Sequence, residues 1–284
     1  MPPARRPAKA MSAVFFACVA LSTSASAAPS NGDAVPPASV LRQIERLAPQ
    51  RPGVIDLYAV VVGGDGSEDV FQREARIVQK RLEERLQASG RLVTLVNNRG
   101  LPRPEATINS LEYVVQRLSE RMDRDQDLLF LHLTSHGSAN HYLVLKHPSQ
   151  ELNWLGKKRL ANMLRRSGIR HLFIVISGCY SGGFIPDLAN ENTVVITASA
   201  STVTSYGCGD KSEMTSFSRM FYTQALTQSR SLLDAARLAV QHVHEDETRS
   251  RRAHSYPQVS IGARMEEYLR QFDLQLSTNV PSTH

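Results

Sequence analysis

From residue 54 onward, short unbroken apolar runs alternate with longer segments of helical periodicity, and this alternation confines the chain to an α/β architecture. Residues 54–62 (VIDLYAVVV) are β-branched and almost wholly apolar and run into Gly63-Gly64, the pattern of a strand buried on both faces of a parallel sheet. Residues 92–96, 128–133, 172–176 and 194–197 repeat it. Between the first two, Phe71, Ala75, Val78, Leu82 and Leu86 recur at helical spacing within residues 70–88, with Gly90 as the stop. Leu111, Val114, Val115, Leu118 and Met122 do the same within 108–122. The spacing predicts further helices over 155–166, 212–226 and 232–245, with short extra strands at 142–145 and 258–261. Repeated strand–helix units of this length imply right-handed crossovers and a three-layer sandwich, a mostly parallel sheet covered by helices on both faces.

The N-terminus has a separate logic. Arg5, Arg6 and Lys9 precede an apolar run, residues 11–21 (MSAVFFACVAL), too short to cross a bilayer as a helix, and Ala25-Ser26-Ala27 offers an A-x-A cleavage pattern. Residues 1–27 therefore read as a signal peptide, which places the mature protein outside the cytoplasm, periplasmic or secreted and with no stable membrane insertion once the signal is removed. Residues 28–52, with Pro29, Pro36, Pro37 and Pro49, read as a linker holding a short helix over 40–47; 53–265 form the main domain and 266–284 a C-terminal tail. The chain's net charge of +6 halves without Arg5, Arg6 and Lys9, and the rest is spread with no long basic block, so nucleic acid is not the expected partner. Three cysteines exclude both a disulfide-stapled mini-domain and a four-cysteine zinc site.

Ligands of open α/β sheets bind beyond the carboxyl ends of the strands, so chemistry is sought in the residues that follow each strand. After the third run stands Thr134-Ser135-His136-Gly137-Ser138, and after the fourth Ser177-Gly178-Cys179-Tyr180-Ser181-Gly182-Gly183. A thiol needs a base or a cationic neighbour to become a thiolate near neutral pH, and histidine both takes a proton and returns it to a leaving amine. Gly137 lets backbone approach a substrate carbonyl, and its N–H together with that of Cys179 makes an oxyanion hole. On pattern alone, a buried structural cysteine and a turn glycine fit as well. His132 and His136 are four apart but on a strand with no Glu between them, which is not a zinc pattern.

Residues 128–138 (LLFLHLTSHGS), 172–184 (LFIVISGCYSGGF), 194–210 (VVITASASTVTSYGCGD) and 60–71 (VVVGGDGSEDVF) together resemble the legumain-type (C13) cysteine peptidases of the caspase and legumain clan, and among these the exported bacterial members. The resemblance spans residues 54–262. It implies a caspase-like α/β sandwich and cysteine-type endopeptidase activity through a thioester, acting on peptide or protein substrates without metal or organic cofactor. It implies His136 as acid and base, Cys179 as nucleophile and Gly137 as oxyanion donor. It places the residue that orients the histidine at Asp69, with Asp65 as neighbouring candidate. Ser177 stands where legumains carry a pocket acid, so asparagine selectivity is not implied. Ser199, Ser205 and Tyr206 match the pocket-lining loop, and Asp210 supplies an acidic floor suited to a basic or amide side chain. The family loop also carries a cysteine at Cys208, which marks a free pocket thiol; a pairing with Cys179 is the alternative. An inactive binding module on the same fold and a transamidase are the alternative functions.

Overall fold

The computed structural model describes Met1 and residues 35–229 and 231–278; residues 2–27 of the signal-peptide reading lie outside them. Six strands form the main sheet: β1 (Leu57–Gly63), β2 (Leu92–Val96), β3 (Leu128–Thr134), β4 (His171–Ser177), β5 (Thr193–Thr197) and β6 (Gln258–Ile261). Their order is β6-β5-β4-β3-β1-β2, parallel except for β6, which runs antiparallel to β5. Side chains of β1 alternate between two cores. Leu57, Ala59 and Val61 join Ala75, Val78 and Leu82 of α2 (Asp69–Leu86), together with Phe217, Phe221 and Ala239. Tyr58, Val60 and Val62 join Leu111 and Val114 of α3 (Ile108–Ser119) and Leu160 and Leu164 of α4 (Lys157–Ser167). The sheet is thus buried on both faces, each fully buried aliphatic side chain contributing about 1.5–3 kcal/mol. The expected three-layer α/β sandwich is the observed one.

Boundaries differ where local chemistry overrides periodicity. The α2 helix stops at Leu86, with Gln87 in the left-handed conformation (φ 54°), ahead of the expected stop at Gly90. The predicted 155–166 helix starts two residues later, because Leu155 and Gly156 pair with Leu143 and Tyr142. The helix predicted from residue 212 begins at 216, residues 205–215 being a loop, and its middle turn, Arg219–Ala225, is a π-helix.

Two assignments are corrected. Residues 38–48, read as linker, belong to the fold: α1 (Ala38–Glu45) buries Val40 and Ile44 beside Leu47 on the sheet. Its Gln43 side chain bonds both the N–H and the C=O of Thr94, pairing with β2 as an extra strand would and shielding that edge. Residues 265–278, read mostly as tail, form α6 (Met265–Thr278), which buries Met265, Leu269 and Phe272; Gln275 bonds both backbone groups of Ile55 before β1. The proline-rich flank hid the first, and the short apolar stripe the second. Helix α5 (Leu232–Arg249) completes the layer against β6.

Candidate active site

Adjacent parallel strands β3 and β4 run in register, with Thr134 opposite Ser177. His136 and Cys179, each two residues past that pair, therefore emerge side by side at the carboxyl rim of the sheet. The contact continues beyond the strands: Ser135 N–H donates to Ser177 O (3.2 Å), and a β-carbon on Gly137 would overlap the Cys179 carbonyl oxygen. Only glycine permits this approach. The N–H groups of Gly137 and Cys179 donate to no other protein group among the described residues.

The turn that presents Cys179 is clamped from two sides. Tyr180 is held in the left-handed conformation (φ 57°), its N–H donating to Val203 O (2.9 Å) and its carbonyl facing His141 Nδ1 (3.1 Å). Ser199 Oγ donates to Gly178 O (3.2 Å), and Gly182 N–H donates to Ser199 O (2.9 Å). Cys179 is half-buried and unoxidised; its sulfur accepts the N–H of Ser205 (3.4 Å) and lies 3.7 Å from Ser205 Oγ.

The partner of His136 is Glu68, whose Oε1 lies 2.9 Å from His136 Nε2. Phe71 meets the imidazole edge-on at 5.1 Å. Glu68 is the extended residue that precedes α2, and its other oxygen, Oε2, is buried without a hydrogen-bond partner among the described residues. Hydrogen bonding to Cys208 raises the imidazole pKa most, burial opposes this, and Glu68 raises it further, to a net value of about 9. The ring is protonated at neutral pH.

This corrects the expected orienting residue. Asp69 sits at the first position of α2 and pairs loosely with Arg73 (3.9 Å), while Asp65 accepts the N–H of Ser67 within its own turn (2.8 Å). Neither reaches His136; the helix start turns Glu68 inward and Asp69 outward. Cys208 is a free thiol, and it faces the same imidazole, which no spacing pattern marked.

A cavity of about 680 Å³ opens beside the nucleophile, lined by Ser205, Tyr206, Cys208, Glu213, Arg219, Asp246 and Arg252 among others. Ser205 and Tyr206, the residues matched to a pocket-lining loop, are in its wall. Arg252 lies over the Tyr206 ring (5.4 Å), and Asp246 pairs with Arg219 (3.5 Å). Asp210 is not its floor: its carboxylate accepts the N–H of Asp69 (2.8 Å) at the start of α2. Ser177 and Ser199 do not line it either. Both are buried, Ser177 against Thr215 Oγ1 (2.8 Å) and Ser199 beneath the cysteine turn. Glu213 and Asp246 are the acids that line the cavity, and their distance along the chain from Cys179 hid them. A second groove of about 550 Å³ lies across the turn, lined by His141, Lys157, Gly182, Gly183, Ser201 and Gln258 among others. Among the described residues no group of three or more His, Cys, Asp or Glu is placed to hold a metal ion.

A model of the Peptidase C13 family matches residues 114–266, more than half of the chain. No curated protein matches the chain. Among solved structures, the crystal structure of caspase-1 from Spodoptera frugiperda is similar at 15% sequence identity, over 76% of this chain and 90% of that one, with a TM-score of 0.49.

Proposed function

The chain belongs to the peptidase C13 family, and on that premise we propose that it is a cysteine endopeptidase with a Cys179/His136 dyad. The observation that carries this reading is the register of β3 and β4, which delivers an imidazole and a half-buried thiol to one rim. A protonated imidazole favours a thiolate beside it. The thiolate of Cys179 attacks the scissile carbonyl carbon, and the oxyanion takes the N–H groups of Gly137 and Cys179, a donor being typically worth about 2.7–4 kcal/mol. With Nε2 engaged by Glu68, Nδ1 of His136 gives its proton to the leaving amine as the C–N bond breaks. A water then loses a proton to His136 and attacks the thioester carbonyl, and the C–S bond breaks to release the acid and restore the thiolate beside the protonated imidazole.

Glu68 takes the orienting role, and Ser205 and Tyr206 border the P1 side chain. Two acids and two arginines leave the pocket near neutral, which favours a neutral polar P1 residue over a charged one. The reading includes export on the strength of the N-terminal segment, checked by N-terminal sequencing of mature protein from the native host. Catalysis is tested with a peptidyl acyloxymethyl ketone and a fluorogenic peptide set varied at P1. The wild type is labelled once, and Cys179→Ala and His136→Ala abolish turnover. An intact, folded wild type that neither labels nor cleaves would leave a binding module, and accumulation of amide product with an added amine would make it a transamidase.

A further inference from the structure

Building on the peptidase reading, we infer that Glu74 is a positioning residue for substrate recognition, holding the pocket loop, residues 205–216, in place against the sheet. Glu74 lies on α2 and is completely buried on a face otherwise occupied by Phe71, Ala75 and Val78. A carboxylate in an apolar core is retained only where its hydrogen bonds are made, and hydrophobic residues of similar volume usually fill such a place at less cost. Two of its three bonds lead to the pocket loop and the turn that follows it, and the third leads to His132 on β3.

Its Oε2 accepts the N–H of Thr215 (2.8 Å), the residue between Met214 and Ser216, both of which line the cavity. Its Oε1 accepts Ser218 Oγ (2.6 Å) and faces His132 Nε2 (3.1 Å). His132 is itself held on its other nitrogen by Tyr222 OH (2.9 Å), in the π-helical turn whose first residue, Arg219, lines the cavity. Thr215 Oγ1 in turn bonds Ser177, two residues before Cys179. The loop is closed on itself by Ser216 N–H donating to Tyr206 O (2.9 Å). Anchoring Thr215 therefore fixes Tyr206 and Ser205, and Ser205 touches the nucleophile's sulfur. One buried carboxylate ties α2, β3 and the pocket loop together, and β4 through Thr215. A π-turn at this place fits the frequent siting of such turns at functional sites.

The experiment uses the full chain and two variants. Glu74→Gln keeps the shape but offers one acceptor where two are used. Thr215→Pro deletes the N–H donor along with the Oγ1 that bonds Ser177, and the native φ of −60° suits proline. Two quantities are read: KM and kcat on a fluorogenic peptide, and the Kd of that peptide for chains that also carry Cys179→Ala, which needs no turnover. For each variant KM and Kd rise about 10-fold with kcat within about 3-fold, and iodoacetamide alkylates Cys179 at a rate within about 2-fold of wild type. Unchanged Kd in a folded variant overturns the inference, as does a fall in kcat at constant KM, which would place the effect on the dyad. Should Glu74→Gln fail to fold, Thr215→Pro decides; if both fail, Glu74 is an assembly residue and the inference falls. Absence of turnover in the wild type counts against the peptidase reading alone, because the Kd comparison stands without it.

Discussion

Cys208 and Glu68 together raise the pKa of His136 well above the ordinary imidazole range, and on the proposed peptidase reading this sets the alkaline limb of activity. Cys208 contributes more than Glu68 to that displacement. Cys208→Ser therefore moves the alkaline limb of kcat/KM to lower pH, and Glu68→Gln moves it by less in the same direction. Profiles from pH 5 to 10 check this, and an unmoved limb in both variants would remove these contacts from the mechanism. Gly137 makes a second prediction. A β-carbon there collides with the Cys179 carbonyl, so Gly137→Ala must part the two tips. It loses at least about 100-fold in kcat, the usual scale for one oxyanion donor, while Tm changes by only a few degrees. The meeting of His136, Gly137 and Cys179 at one rim was legible because all three stand within three residues of the end of an apolar strand. Glu68 was not: neighbouring carboxylates at 65, 68 and 69 are equivalent as letters, and only the entry angle of α2 turns one of them toward the imidazole.

Edges and ends of the sheet are finished by elements that composition disguised. The α1 helix covers the β2 edge with Gln43, and α6 ties down the start of β1 with Gln275. Removing residues 1–52 uncovers that apolar surface and frees the edge, so the truncated chain is expected to aggregate while a chain beginning at residue 35 stays monodisperse by light scattering. Phe272 is about 1% exposed between α6 and the core, and Phe272→Ala costs about 3–5 kcal/mol in chemical denaturation. A loss under 1 kcal/mol would return α6 to the status of a tail. The strands and the long helices α2 and α3 were legible because burial on both faces and a wide apolar stripe leave strong periodic signals. The helix ends at Leu86 and at residue 216 were not, since backbone conformation at Gln87 and anchoring of Thr215 set them.

For the molecule as a whole, four displaced ionisations make stability depend on pH. Hydrogen bonding raises the pKa of His136 to about 9, so its stabilising contribution is complete below about 6.5 and disappears as pH climbs to about 9. Burial raises Asp127 and Asp273 to about 6, which favours their neutral forms; that contribution is full below about 3.8 and lost as pH rises through about 6. Burial lowers His171 to about 4, an opposing effect in which stability is lost as pH falls from about 6.5 toward 4. Above about pH 7.5 only the His136 contribution among these is still changing, so Tm declines between about pH 7.5 and 9 and that decline shrinks in His136→Gln. Equal slopes in the two proteins would sink the assignment. The sequence by itself determined the class of fold, the order of its strands and helices and the two loop tips that meet, because burial periodicity and post-strand position are properties of neighbouring residues. The tertiary structure alone decided which carboxylate holds the histidine, which acids line the pocket and which buried glutamate anchors it. Those roles depend on contacts between residues far apart in the chain, and residue type and spacing carry no record of the direction in which a side chain points.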